Sequence, residues 1–285
     1  MSESPTAKDW IGSRGEKWSA QAESMEAMLT PIDRPLIEAL RLEQPTRVAE
    51  VGCGAGGTAM ELRRRAPAGT SIHGFDISPK LIELARRRIT AGSLQGSTEN
   101  TLAFELADVS THIPNQRYDR LVSRFGIMFF DDPAGAFSNL LRWLEPGGRI
   151  AFAVWGPLAE NDWFRSVRDV VALFAEMPEP PPDAPGAFRY ADVSSLLSSL
   201  QHAGFSRLEA QAWRGTLSIG GGLQPAQAAT FVLSAFSSFA DRLAAVGGGA
   251  FDRAHSALTT HFTERQRAGA TGESAFVHIV TGERP

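Results

Sequence analysis

The sequence predicts an α/β fold, a mostly parallel sheet with helices on both faces. Three observations carry that prediction. Short apolar runs alternate with helical periodicity from residue 47 to residue 155, the first run ends in the turn Gly52-Cys53-Gly54-Ala55-Gly56-Gly57, and an acid stands at or just past the end of each of the first three runs. Strands joined through helices need right-handed crossovers, which bring those ends to one edge of the sheet, where ligands bind at the reversal of strand order.

Residues 47–51 read as the first strand, and residues 58–65 are helix formers after the glycine turn. Residues 71–75 form a second strand ending at Asp76, after which Ser78 can cap a helix whose first turn tolerates Pro79. Ile82, Ala85 and Ile89 share one face of that helix. Residues 90–100 are a polar Gly/Ser loop, and residues 102–106 a third strand stopping at Ala107-Asp108. Residues 120–123 give a fourth strand, residues 133–144 a helix with Phe137, Leu140, Leu141 and Leu144 inward, Pro146-Gly147-Gly148 a turn, and residues 149–155 a fifth strand. Beyond it come a helix at 161–176, a proline-rich loop at 177–188, a helix at 191–203 ending at Gly204, and a strand at 205–219. A helical insertion at about 220–268, broken by glycines 247–249, separates that strand from a last one at 274–281.

With 285 residues, 43% hydrophobic and 21% charged, the chain suits one large domain with an elaboration. Its net charge of −4 gives no general attraction to nucleic acid, and no nucleic-acid partner is expected. Cys53 is the one cysteine, which excludes an internal disulfide and a cysteine-based metal site; no metal is expected, and a reducing compartment fits. The N-terminus lacks the basic-then-apolar pattern of a signal, and no apolar run approaches the roughly 18 residues needed to span a bilayer. A cytoplasmic monomer or homodimer is the expectation.

The glycine turn leaves two cofactors open. Gly52, Gly54 and Gly57 satisfy the G-x-G-x-x-G spacing of an NAD site, and the following helix offers free N–H groups to an anion. Glu50, just before the turn, would repel a pyrophosphate and attract an ammonium or sulfonium, by roughly 4 kcal/mol at about 4 Å before desolvation. Zwitterionic S-adenosylmethionine carries both charges. Asp76 can accept from ribose hydroxyls with either cofactor, and Asp108 from an adenine amino group with Val109 against the ring.

Five segments in order, AEVGCGAGG, GFDIS, ELADV, YDRLVSRFGIMFF and LEPGGRIAF, cover residues 48–155, and through them the chain resembles the class I S-adenosylmethionine-dependent methyltransferases of the small-molecule type. The resemblance implies a Rossmann-like seven-stranded sheet whose last strand runs antiparallel. It also implies that Glu50, Gly52, Cys53, Gly54 and Gly56 line the methionine portion of the cofactor, Asp76 and Ile77 the ribose, and Ala107, Asp108 and Val109 the adenine, with Ser123 and Arg124 beside the methionine end. WSAQAESM, residues 18–25, resembles the family's N-terminal cover, which places Trp18 against the cofactor and divides the chain into a helical cover (1–45) and the methyltransferase domain (46–285).

Catalytic residues are not identified by sequence. His255 and His261 lie in the insertion, where a lid could carry one to a substrate, and Arg124 could hold a cofactor carboxylate or substrate anion, or instead pair with Asp131 or Asp132. The aromatic and Met residues Phe125, Met128, Phe129, Phe130, Trp155, Trp163, Phe188 and Tyr190 are candidates for a pocket mouth. Methyl transfer is an in-line displacement that needs alignment and exclusion of water more than acid catalysis, so the N-terminal helices, the proline-rich loop and the insertion are expected to close over a small, partly apolar acceptor. The alternatives are a cofactor-binding protein of the same fold that does not methylate, and an NAD-dependent oxidoreductase.

Overall fold

The computed structural model describes residues 6–90, 99–179, 181, 183–270 and 272–285. Most of the predicted loop 90–100, and positions 180 and 182 of the proline-rich stretch, lie outside the described residues. The helices are α1 (Ala7–Ile11), α2 (Ser13–Ala20), α3 (Ala22–Ala39), α4 (Gly57–Arg65), α5 (Pro79–Thr90), α6 (Pro133–Trp143), α7 (Asp162–Val171), α8 (Val193–His202), α9 (Pro225–Ala235), α10 (Ser237–Val246) and α11 (Ala250–Arg267). The strands are β1 (Arg47–Val51), β2 (Ser71–Asp76), β3 (Thr101–Leu106), β4 (Tyr118–Arg124), β5 (Leu144–Trp155), β6 (Ser206–Leu217) and β7 (Glu273–Glu283).

They form one sheet in the order β3-β2-β1-β4-β5-β7-β6. β1 to β5 pair in parallel, while β7 is antiparallel to both β5 and β6, so six strands point one way and β7 alone runs against them. The chain moves outward from β1 through β2 to β3 and then returns to the other side of β1 as β4. The strand order therefore reverses between β1 and β4, and a crevice opens at their carboxyl ends. Val48, Ala49 and Val51 of β1 are buried because helices cover both faces, which is why the strand reads as a nearly continuous apolar run rather than an alternating one.

Two predicted boundaries shift for local reasons. The fifth strand starts at Leu144, not after the glycines. Gly147 takes φ +74°, its N–H donates to Arg284 O (2.9 Å), and Arg284 N donates to Gly148 O (2.9 Å), so the expected turn is an irregularity tied into the end of β7. The helix expected over 161–176 ends at Val171. Asn161, before its first turn, is completely buried: Nδ2 donates to Gly156 O (3.1 Å) and Pro157 O (2.9 Å), and Oδ1 accepts from Trp163 Nε1 (3.1 Å) and Phe276 N (2.9 Å). One side chain thus joins the end of β5, the start of α7 and β7.

α3 shares a single core with the sheet: Met25, Met28, Leu29, Ile32 and Leu36 pack with Val48, Leu121, Val122 and Phe152. α1 buries no residue and α2 buries only Gly15, where a Cβ would lie 2.3 Å from Ser78 Oγ; glycine lets α2 rest on the start of α5. Among the described residues no single helix is long and apolar enough to cross a membrane.

Asn161→Ala strands four buried hydrogen-bonding groups and is expected to lower the free energy of unfolding by about 3 kcal/mol. Urea denaturation checks this, and an unchanged midpoint would contradict the junction role.

Candidate functional site

A cavity of about 270 Å³ lies at the carboxyl ends of β1, β2, β3 and β4, closed on its outer side by α1 to α3. The glycine turn forms its floor. Gly52 adopts φ +67°, and its α-carbon approaches the loop after β4 so closely that a Cβ would lie 3.0 Å from Gly126 Cα. Gly52, Cys53 and Gly54 line the cavity. Gly56 does not: it takes the left-handed conformation before α4, with the Phe104 ring 2.4 Å from where a Cβ would stand, so its role is to seat the helix. Burial pushes the Cys53 thiol well above its usual range, which suits a small turn residue and not a nucleophile.

Asp76 is fixed by backbone. Its Oδ2 accepts from Gly54 N and its Oδ1 from Ser78 N, both at 2.8 Å, leaving further lone pairs on each oxygen for a ligand. Burial raises its pKa, and the backbone donors oppose the rise. Ile77 lies beside it on the wall. At the β3 end the cavity is lined by Ala107, Asp108 and Val109, with Asp108 Oδ1 accepting from Ser110 N (2.9 Å) and Oγ (2.6 Å).

Glu50 is 2% exposed, and its Oε2 has no hydrogen-bond partner among the described residues. Burial pushes its carboxyl well above the usual range; Arg124 opposes the rise, and Asp33 and Glu26 add to it. Arg124 lines the cavity, but the sequence-based choices for its partner are corrected. Its Nη1 pairs with Asp33 Oδ2 at 3.0 Å on α3, with both side chains nearly buried, and Asp33 Oδ1 accepts from Thr58 Oγ1 (2.8 Å). Asp132 instead caps α6 through Gly135 N (3.1 Å), and Asp131 accepts from Ala7 N at 3.4 Å. A second ion pair, Arg88 with Glu26 at 2.6 Å, ties α5 to α3, and the same Arg88 nitrogen donates to Ala55 O in the glycine turn (2.9 Å).

Ser123 stands off the cavity. It is fully buried, donating to Val51 O (2.7 Å) and accepting from Gly126 N (3.2 Å), so it clamps β4 to β1. His255 and His261 also stay away: His255 Nε2 meets Thr230 Oγ1 at 2.9 Å, His261 lies 5.4 Å from the Phe262 ring, and neither lines the cavity. Nothing from the insertion or from the described part of the proline-rich loop lines it either, so of the three expected covers only the N-terminal helices lie over it.

Trp18 does line the cavity, and Trp10 joins it, with ring centroids 5.4 Å from Trp18 and 5.0 Å from Phe129, both edge-on. Phe125, Phe129 and Phe130 complete the aromatic wall. Phe125 holds φ +64° while stacking on Trp155 at 4.1 Å, a strained backbone held at the site by packing. Met128, Trp155, Trp163, Phe188 and Tyr190 belong to the core behind that wall. Trp10, Glu26 and Asp33 escaped the sequence reading. The signal for the two acids was their spacing of seven on a stripe with Met25, Met28, Leu29, Ile32 and Leu36, because acids on a buried stripe require partners.

Residues 49–152 match a family model described as a methyltransferase domain. Over these residues, about a third of the chain, the sequence carries a methyltransferase domain. The chain is 29% identical over 124 residues, 43% of its length and 54% of the relative's, to an aklanonic acid methyltransferase from Streptomyces sp. (strain C5). It is 32% identical over 118 residues, 41% of the chain and 46% of the relative, to a demethylmenaquinone methyltransferase from Deinococcus radiodurans. The chain thus spans about half the length of these relatives. Among solved structures, the cyclase SpnF superposes over 99% of this chain and 98% of its own with TM-score 0.57 at 17% identity, which shows the shared fold. The residues fit S-adenosylmethionine, the cofactor of such methyltransferases: an orphaned buried carboxyl oxygen suits a cationic group, and the glycines at 52 and 54 bring backbone to the floor. The dinucleotide reading is left without support.

A carboxyl whose pKa is raised by folding keeps its proton while the unfolded chain loses it, so its contribution to stability falls as pH rises from the ordinary carboxylate range toward Glu50's own. Glu50→Gln removes this titration. At neutral pH the ligand-free variant is expected to be more stable than the unaltered chain by about 1–3 kcal/mol, with the gap widening across that window. Denaturation at several pH values measures it, and a pH-independent gap would contradict the assignment.

Proposed function

We propose that the protein transfers a methyl group from S-adenosylmethionine to a small, partly apolar acceptor by in-line displacement. The observation carrying this reading is that one cavity joins a polar wall of Glu50, Asp76 and Asp108 to an aromatic wall of Trp10, Trp18, Phe129 and Phe130. The first wall suits a zwitterionic nucleoside and the second an apolar acceptor.

When bound, the cofactor supplies an electrophilic methyl group on a sulfonium that departs as a neutral thioether. Glu50 would hold the cationic end, with Gly52, Cys53 and Gly54 as floor. Asp76 and Ile77 would hold the ribose, Asp76 using the lone pairs its backbone donors leave free. Ala107, Asp108 and Val109 would take the adenine. Arg124, committed to Asp33, would shape the electrostatics around Glu50 and leave anion capture aside. Trp18 and Trp10, carried on α1 and α2, would exclude water above the acceptor, the condition that methyl transfer needs most. The relatives named for aklanonic acid and demethylmenaquinone support a small-molecule acceptor.

Cofactor carrying a labelled methyl group, incubated with phenols, thiols, amines and activated carbon acids, is expected to pass label to at least one class. Cofactor binding with no labelled product across all classes would favour the non-methylating reading of the same fold. Asp76→Ala is expected to weaken cofactor binding by about 1–3 kcal/mol through lost ribose hydrogen bonds, read by calorimetry; an unchanged affinity would refute its role.

A further inference from the structure

The residues proposed for the adenine sit on a short loop after β3, and the position of that loop is set from the helix behind it. Asn139, on α6, is 2% exposed. Its Nδ2 donates to Val109 O at 3.0 Å and to His112 O at 2.7 Å, and its Oδ1 accepts from Arg142 Nη2 at 3.1 Å. Both hydrogens of one buried amide are therefore spent on the carbonyls of a loop three residues apart. Trp143 Nε1, one helical turn on, donates to the same His112 O at 3.0 Å. The His112 ring is held in turn by Glu105, Nε2 to Oε1 at 3.3 Å.

A buried helix position packed against a core is ordinarily apolar, because an amide there gains nothing over a leucine unless its hydrogen bonds are used. At residue 139 the amide's donors have one visible use, which is to fix residues 109–112. Asp108 is bound within the loop, its Oδ1 accepting from Ser110 and its backbone O from Thr111 N (3.1 Å) and His112 N (2.8 Å), and Ala107 N ties the start of the loop to Asp76 O (3.0 Å); the far side of the loop, from Val109 to His112, is held by Asn139 and Trp143. Asn139 itself does not line the cavity.

We infer that Asn139 is a positioning residue for base recognition: by holding the Val109 and His112 carbonyls it places the Asp108 carboxylate to read the amino group of adenine. This rests on the cofactor reading above. An apolar residue at 139 would leave the loop's carbonyls unpaired, and the loop would shift to find other partners, spoiling alignment with the base edge while leaving the ribose and methionine contacts in place.

The test compares the affinity of S-adenosylhomocysteine with that of S-inosylhomocysteine, in which the amino group is replaced by a carbonyl oxygen, by calorimetry on the full chain. The unaltered chain is expected to prefer the adenosyl ligand by about tenfold or more, since an accepting carboxylate cannot satisfy a carbonyl. Asn139→Leu is expected to bring that ratio close to one, whereas Asp76→Ala weakens both ligands alike and preserves it. A purely structural role would lower the melting temperature of Asn139→Leu and leave the ratio unchanged, which would overturn the inference. If that variant does not fold, Asn139→Ser, too short to reach Val109 O, and Trp143→Phe, which keeps an aromatic ring in place and removes the Nε1 donor, give the same readout. Failure of the unaltered chain to bind either ligand would remove the cofactor reading and the inference with it; binding without preference would overturn the inference alone.

Discussion

A carboxyl group buried at the end of the central strand is the constraint around which the rest of the site is arranged. Glu50 is placed where water cannot solvate it, and the nearest cation, Arg124, is already bound to Asp33. Removing one partner of a buried pair such as Arg124–Asp33 costs on the order of 3–5 kcal/mol because the other charge is left uncompensated, so Arg124 is not free to turn toward Glu50. Burial disfavours the charged form of Glu50 in the free protein, and a ligand bearing a positive charge relieves this. The same Asp33 accepts from Thr58, so the pair that occupies Arg124 also fastens α3 to the first turn of α4 beside the glycine floor.

This arrangement divides the molecule by function. The sheet and α3 form one core, and of the acids that face the cavity Asp76 is held by backbone donors and Glu26 by its ion pair with Arg88. α1 and α2 bury only Gly15 fully and rest on the body through that glycine, the half-buried Trp10 and Trp18 rings, the Ala7–Asp131 contact and the exposed Lys17–Asp241 pair at 3.4 Å, which contributes little to stability. Rigid cofactor wall and lightly held cover are what a site needs if it must admit ligands and then exclude water. The insertion, α9 to α11, packs against α7 and supports the cover from the side through Asp241, contributing no residue to the cavity.

Much of the fold was legible because its signals are local. Each strand of the parallel half ends in a turn or an acid that punctuates an apolar run, and Gly204 shortly after His202 marks a helix end by its own chemistry. The floor and the acids at 50, 76 and 108 were legible for the same reason. What failed was pairing across the chain. Arg124 and Asp33 are 91 positions apart, and nothing near either names the other, whereas Asp131 and Asp132 were close in sequence and wrong in space. Ser123 and Gly56 sit within the right motifs but turn their chemistry into the scaffold, toward Val51 O and Phe104, a difference of orientation that no spacing rule carries. The insertion histidines were judged by residue type alone, and helix packing put them elsewhere.

The central claim is that burial raises the pKa of the Glu50 carboxyl in the free protein and that a cationic ligand lowers it again. Calorimetric titration with S-adenosylhomocysteine near pH 6, repeated in buffers of different ionisation heat, counts the protons exchanged on binding. The account predicts net proton release by the unaltered chain and a smaller release by Glu50→Gln. Binding by the unaltered chain with no proton released, or an equal release by both proteins, would contradict it.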